Sequence, residues 1–136
     1  MIRILIVEDQ PAQREHLIRI FKCNRFEVFE AGDGAEGVEQ AYIRKPDLVL
    51  MDLRMPRMDG IEAIRLLRKT PKTSAVPIIV VTAWHNERIR ARACRAGANL
   101  YLTKPVDEST LIREVKKLVT VTRAKPSLTS ECAPST

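Results

Sequence analysis

Leu48-Val49-Leu50-Met51-Asp52 decides the fold class. Four apolar residues in a row leave no polar face, so a strand built from them is buried on both sides. The run then stops on a carboxylate. Ile78-Ile79-Val80-Val81-Thr82 has the same form, with β-branched residues closing on a hydroxyl. Working outward, residues 2–7 read as a first strand that runs directly into Glu8 and Asp9. Residues 26–30 form a short second strand. Leu100-Tyr101-Leu102 is a fifth, with Lys104 two positions beyond it. Between these runs the apolar period changes to that of a helix. Leu17, Ile20 and Phe21 mark a helix over 13–23. Ala35, Val38, Ala41 and Tyr42 mark a second, and Ile61, Ile64 and Leu67 a third. Ile89, Ala93 and Ala96 mark a fourth, with Gly97 as its C-cap. Leu111, Ile112, Val115, Leu118 and Val119 form the stripe of a fifth. Prolines 46, 71 and 77 fall in the connections.

Five strand–helix repeats predict an α/β layer fold. The expectation is one doubly wound (βα)5 domain, flavodoxin-like, with a parallel five-stranded sheet in the order 2-1-3-4-5. The 136 residues suit one domain with a real core. Residues 1–121 are assigned to it. Residues 122–136 are rich in Ser, Thr and Pro and read as a disordered tail. No apolar run approaches the ~18 residues of a membrane span. No signal-peptide pattern precedes Glu8-Asp9, so a cytoplasmic location is expected and no membrane partner. Cys23, Cys94 and Cys132 form no CxxC, and His16 and His85 lie far apart, which argues against a zinc site or a disulfide framework. Cys23 and Cys94 are expected as small core or half-buried helix thiols. The net charge of +6 invites a nucleic-acid reading. Aromatics at 4% are too few for base-stacking platforms, and the basic residues are spread over every helix, so no direct nucleic-acid partner is expected.

The polar residues follow the strands. Glu8 and Asp9 come after strand 1, Asp52 after strand 3, Thr82 ends strand 4 and Lys104 follows strand 5. In a parallel sheet all these ends share one rim, where ligands bind. Carboxylates ~4 Å apart repel by about 4 kcal/mol at an effective dielectric of 20. Without a cation one of them takes up a proton near neutral pH. Oxygen donors suit a hard ion such as Mg²⁺. Lys104 supplies a point charge suited to phosphate, and Thr82 a hydroxyl. The chemistry implied is phosphoryl transfer to a carboxylate, with Asp52 as nucleophile. Taken singly, Glu8-Asp9 reads as helix-dipole complementation, Asp52 as a turn residue, Thr82 as a cap and Lys104 as a solvated lysine. Their joint placement on one rim is what argues for chemistry.

Val7-Glu8-Asp9, the run from Met51-Asp52-Leu53-Arg54 to Asp59-Gly60, Val81-Thr82-Ala83 and Leu102-Thr103-Lys104-Pro105 together resemble the receiver domain of two-component response regulators, of the stand-alone chemotaxis-regulator type. The resemblance spans about residues 2–121. It implies that Asp52 accepts a phosphoryl group from a phosphohistidine on a sensor histidine kinase or phosphotransfer protein. It implies Mg²⁺ held by Asp9, Asp52 and the Arg54 backbone carbonyl, with Glu8 acting through a water. Thr82 and Lys104 would contact the phosphoryl group. Tyr101 matches the switch aromatic that turns inward as Thr82 moves, and the Lys104–Pro105 bond would be cis. Such a domain catalyses only its own phosphorylation and dephosphorylation. It then controls a protein partner through helix 4, strand 5 and helix 5, or passes the phosphate on.

Arg54 and Trp84 stand where side chains of this family border the phosphate. Both are large, and the expectation is that they shield the acyl phosphate and lengthen its life. Arg88, Arg92 and Arg95 on the fourth helix read either as a solvated face or as a docking surface for an acidic partner. Three alternatives compete with the switch. A small Asp-nucleophile phosphatase of the haloacid dehalogenase type wants a second Asp where Arg54 stands. A dinucleotide-binding domain wants a glycine-rich turn where Glu8-Asp9-Gln10-Pro11 stands. A pseudo-receiver would keep the fold and use only its surface.

Overall fold

The computed structural model describes residues 1–55 and 58–124. Residues 125–136 of the expected tail, and Pro56 and Arg57 of the 51–60 motif, lie outside the described residues. Five strands and five helices alternate: β1 (Arg3–Val7), α1 (Pro11–Cys23), β2 (Glu27–Ala31), α2 (Gly34–Arg44), β3 (Leu48–Met51), α3 (Gly60–Lys69), β4 (Ile78–Thr82), α4 (Glu87–Ala96), β5 (Leu100–Thr103) and α5 (Glu108–Ala124). All strand pairs are parallel, in the order β2-β1-β3-β4-β5. The expected fold class and strand order are therefore those observed.

The continuous apolar runs have the burial they imply. Every residue of β3 and β4 is buried. Alternation along the strands splits the core into two layers. Leu5, Val7, Val49, Met51, Ile78 and Val80 pack with Ile61, Ile64, Leu67 and Ala93, on the side of α3 and α4. Ile4, Ile6, Leu48, Leu50, Ile79 and Val81 pack with Ile20, Phe21, Leu111, Val115 and Val119, on the side of α1 and α5.

Helix starts follow local polar chemistry. The carboxylates of Asp33 and Asp59 accept from the N–H of Glu36 and Glu62, capping α2 and α3, and Asn86 caps α4 in the same way. The Asp-Gly pairs at 33–34 and 59–60 are helix starts. Gly60 is needed for closeness as well, because a Cβ there would lie 2.5 Å from the Asp52 carbonyl oxygen. Gly97 closes α4 at φ 128°, a conformation that favours glycine.

Some boundaries differ from the sequence expectation. α1 begins at Pro11 rather than residue 13, because proline is tolerated at the first helical position, where no N–H is required. α5 runs through Ala124, so Thr122, Arg123 and Ala124 are helical rather than part of the tail. The Arg123 guanidinium lies 3.2 Å from the Asp47 carboxylate and ties this last turn to the start of β3. Cys23 is exposed and free rather than core or half-buried. Cys94 is half-buried but disulfide-bonded, not a free thiol. No helix among the described residues is long and apolar enough to cross a membrane.

Candidate functional site

The carboxyl ends of β1, β3, β4 and β5 open onto a cavity of about 510 Å³. Asp9, Gln10, Gln13, Asp52, Arg54, Asp59, Trp84 and Lys104 are among its lining residues. β1 delivers Glu8 and Asp9, and β3 delivers Asp52, whose N–H donates to the Val7 carbonyl at 3.0 Å. That bond continues the β1–β3 ladder past Met51 and locks the two acidic strand ends side by side. Lys104 arrives from β5, its N–H donating to the Thr82 carbonyl at 2.8 Å. The Lys104–Pro105 bond is cis.

Lys104 Nζ is the hub. It donates to Glu8 Oε1 at 2.9 Å, to Asp52 Oδ2 at 3.0 Å and to Gln13 Oε1 at 2.6 Å. An ammonium has three N–H groups, and all three are used. Burial alone would lower the Lys104 amine, but the carboxylates of Glu8 and Asp52 outweigh it and raise it above its usual value. Asp52 Oδ1 accepts from the Arg54 N–H at 3.1 Å. The Asp52 side chain is 10% exposed, so the carboxylate is sheltered yet reachable from the cavity.

Glu8 is 2% exposed. Burial, with the Asp52 charge beside it, raises its carboxyl from 4.5 to about 7, against the pull of Lys104. The cluster is short of positive charge, and Glu8 is the member that holds a proton near neutrality. Asp9 is half-buried, lines the cavity and makes no hydrogen bond among the described residues, so its oxygens are open to a ligand. Among the described residues no three acidic, His or Cys side chains are grouped closely enough to hold a metal by themselves. Asp9 and Asp52 offer hard carboxylate oxygens to the cavity, and such donors fit Mg²⁺, which keeps several waters in its shell.

Not every expected residue faces the cavity. Thr82 is fully buried, and its Oγ1 accepts the Trp84 N–H at 3.4 Å. Thr82 and Glu8 are buried and do not line the cavity, whereas their neighbours Ala83 and Lys104 do. Tyr101 is buried and turned inward, its hydroxyl donating to the Trp84 carbonyl at 2.9 Å. The Arg54 guanidinium lies 5.5 Å from the centre of the Trp84 ring, a cation–π contact across the cavity mouth. Arg88, Arg92 and Arg95 lie away from the cavity, on the exposed side of α4. Gln13 and Asp59 are polar lining residues to which the sequence alone gives no role in the site. Gln13 lies in the first turn of α1 and meets Lys104, 91 positions away, only once the chain is folded. Asp59 lines the cavity as well as capping α3, and its place in the 51–60 motif is the sequence signal for it.

The response regulator receiver domain model matches residues 4–116. Protein PilH of Pseudomonas aeruginosa is 42% identical over 119 residues, covering 88% of this chain and 98% of PilH. The transcriptional regulatory protein PdtaR of Mycobacterium tuberculosis is 40% identical over 96% of this chain, which spans only 63% of PdtaR. Among solved structures, the signal receiver domain of a histidine kinase from Syntrophus aciditrophicus superposes with a TM-score of 0.84 at 33% identity, covering 96% of this chain and 99% of that one. Strand order, the acidic rim with its lysine, and a match over most of the chain thus agree: the protein belongs to the response regulator receiver domains, a family of phosphorylation-activated signalling switches.

Proposed function

We propose that Asp52 is the phosphoacceptor of a two-component phosphorelay, taking its phosphoryl group from a phosphohistidine on a sensor histidine kinase or phosphotransfer protein. The observation that carries this reading is Asp52 Oδ2 held 3.0 Å from the Lys104 ammonium at the floor of an open acidic cavity. A carboxylate oxygen of Asp52 attacks phosphorus. The P–N bond breaks, and its electron pair stays on the donor imidazole, which then takes a proton. The product is an acyl phosphate. Lys104 follows the charge onto a phosphoryl oxygen, because its contact with Asp52 is an exchangeable ion pair. Thr82 supplies its hydroxyl once Trp84 releases it, and Tyr101 moves with that loop through its bond to the Trp84 carbonyl.

Asp9 and Asp52 would hold Mg²⁺ directly, with the Arg54 carbonyl as a third protein ligand and Glu8 acting through a water. When bound, the ion neutralises charge on the phosphoryl oxygens. The protein acts on its own aspartate and turns over no external substrate. The changed α4–β5–α5 face then controls a protein partner or the phosphate is passed on, in the cytoplasm, without direct nucleic-acid contact. Arg54 stacked on Trp84 at the cavity mouth supports a shielding role for the pair.

The test is an amide NMR comparison of the protein alone, with Mg²⁺, and with Mg²⁺ plus beryllofluoride, a mimic of the aspartyl phosphate. The expected result is a set of shifts at Asp52, Thr82, Tyr101 and Lys104 that vanish in Asp52→Asn. No response makes this a pseudo-receiver that works through its surface alone. In the same protein, Trp84→Ala and Arg54→Ala are expected to shorten the life of the acyl phosphate several-fold, in the manner of a lost water barrier. An unchanged decay rate removes the shielding role.

A further inference from the structure

The charge of the molecule is unevenly placed. Residues 60–99 hold eight lysines and arginines against two glutamates, a surplus equal to the whole chain's net charge of +6. The rest of the chain is balanced. This segment is α3, β4 and α4, and the two helices pack side by side.

Five of the eight cations form a continuous outer strip. Arg65 and Lys69 stand one turn apart on α3, and Arg88, Arg92 and Arg95 follow at one-turn spacing along α4. All five are exposed. Arg65, Lys69 and Arg95 line a hollow of about 290 Å³ between the helices, with Ala96. Arg88, Arg92 and Arg95 line the next, of about 340 Å³, with Ala91 and Glu87. Arg95 belongs to both hollows. None of the five makes an ion pair among the described residues. Their neighbours differ. Arg90 pairs with Glu87 at 3.7 Å, and Arg68 is committed to main-chain carbonyls.

Unpaired like charges this close lie within about one Debye length of one another at physiological salt and repel, so an anionic partner relieves them. Four of the five are arginines, whose planar fork matches a carboxylate with two parallel hydrogen bonds. The hollows are shallow and separated by alanines, which suits an elongated segment laid across both helices. No aromatic side chain lines either hollow, so nothing is offered for bases to stack on. We propose that the α3–α4 strip is a docking site for an acidic protein helix whose carboxylates repeat at one-turn spacing. This goes beyond the arginine face of α4 alone, because its second wall is α3 rather than α5. It does not require phosphorylation of Asp52.

The probe is a fluorescent glutamate-rich helical peptide of about four turns, titrated into the full chain and into Asp52→Asn. Both are expected to bind it. Arg65→Glu with Lys69→Glu, and separately Arg92→Glu with Arg95→Glu, are expected to weaken binding about tenfold or more, as repulsive charges at an interface do. Arg113→Glu with Lys116→Glu makes the same charge change on exposed positions of α5 and is expected to change it less than about threefold, as a distant screened charge would. Equal losses in all three variants would reduce the effect to bulk charge and overturn the proposal, as would no binding at all. Tighter binding of a duplex DNA of equal charge would also overturn it, in favour of nucleic acid. Loss of peptide binding in Asp52→Asn alone would tie the strip to the phosphoacceptor site and overturn its independence.

Discussion

Lys104 and Arg68 are both cations drawn partly out of water, and they stand at opposite ends of β4 and β5. At the carboxyl end, Lys104 is satisfied by two carboxylates and an amide oxygen. At the amino end, Arg68 donates only to neutral oxygens: the carbonyls of Ser74, Val76 and Gly97 and the side-chain oxygen of Asn99. The electrostatic outcomes are opposite. Burial lowers Arg68 below its usual value, with no anion to offset it. Anions lift Lys104 above its own. A cation held by charges can be handed to a new anion at little loss, because one ionic contact replaces another. A cation held by main-chain dipoles has no competitor to follow, and its bonds staple α3 to the chain entering β4 and β5. One end of the sheet is built to exchange partners and the other to keep them.

Truncating each cation tests whether the two ends of the sheet act separately. Lys104→Met is expected to slow phosphorylation by a small phosphodonor about a hundredfold, the scale of losing one charged group at a phosphoryl centre, while the melting temperature moves little. Glu8 already titrates near 7 and accommodates the loss by taking a proton. Arg68→Met should do the reverse. It leaves at least three carbonyls without their donor and is expected to cost about 3 kcal/mol in urea unfolding. The folded variant should be phosphorylated within about twofold of the parent rate, since no lost group touches the site. If Arg68→Met slowed phosphorylation as much as Lys104→Met, the two ends would not be separable in function.

Gln13 carries the same contrast at smaller scale. Its amide oxygen is the one uncharged acceptor on Lys104 and stays put when the ammonium changes anions. Gln13→Ala should lower the phosphorylation rate several-fold, the size of one hydrogen bond to a charged group. Gln13→Glu adds a third carboxylate and should hold Lys104 back from the incoming phosphate. Equal rates in parent and both variants would leave Gln13 a bystander.

The strands were legible because four consecutive apolar residues admit few environments, and β3 and β4 are buried throughout. The acidic rim was legible for a related reason: residues at strand ends need no side-chain detail to be placed together once the sheet is parallel. Arg68 and Gln13 were not. Each is a polar residue on an amphipathic helix, and such residues ordinarily face water. What distinguishes them is a partner far along the chain: Asn99 for Arg68 and Lys104 for Gln13. The full burial of Thr82 was equally hidden, because it depends on the path of Ala83 and Trp84 after the strand ends.

Asp107 gives the smallest effect and the clearest sign. It precedes α5 at the same carboxyl end of the sheet as Glu8, yet its carboxyl moves the other way. Hydrogen bonds from the Ser109 and Thr110 hydroxyls and the Thr110 N–H hold it at about 2, against an ordinary 3.8. Glu8 is buried and pushed up; Asp107 is exposed and pulled down by donors that favour its charged form. A carboxyl lowered in the folded state adds stability above its unfolded value, and that stability is lost as the pH falls through the folded value. Asp107→Asn keeps an acceptor oxygen without the titration. The variant should therefore be slightly less stable than the parent above pH 3.8, and the gap should close as the pH falls toward about 2. Urea midpoints of the two proteins across that window decide it. A gap that stays constant with pH would mean that the cap acts through hydrogen-bond geometry alone and that the charge at the start of α5 adds nothing.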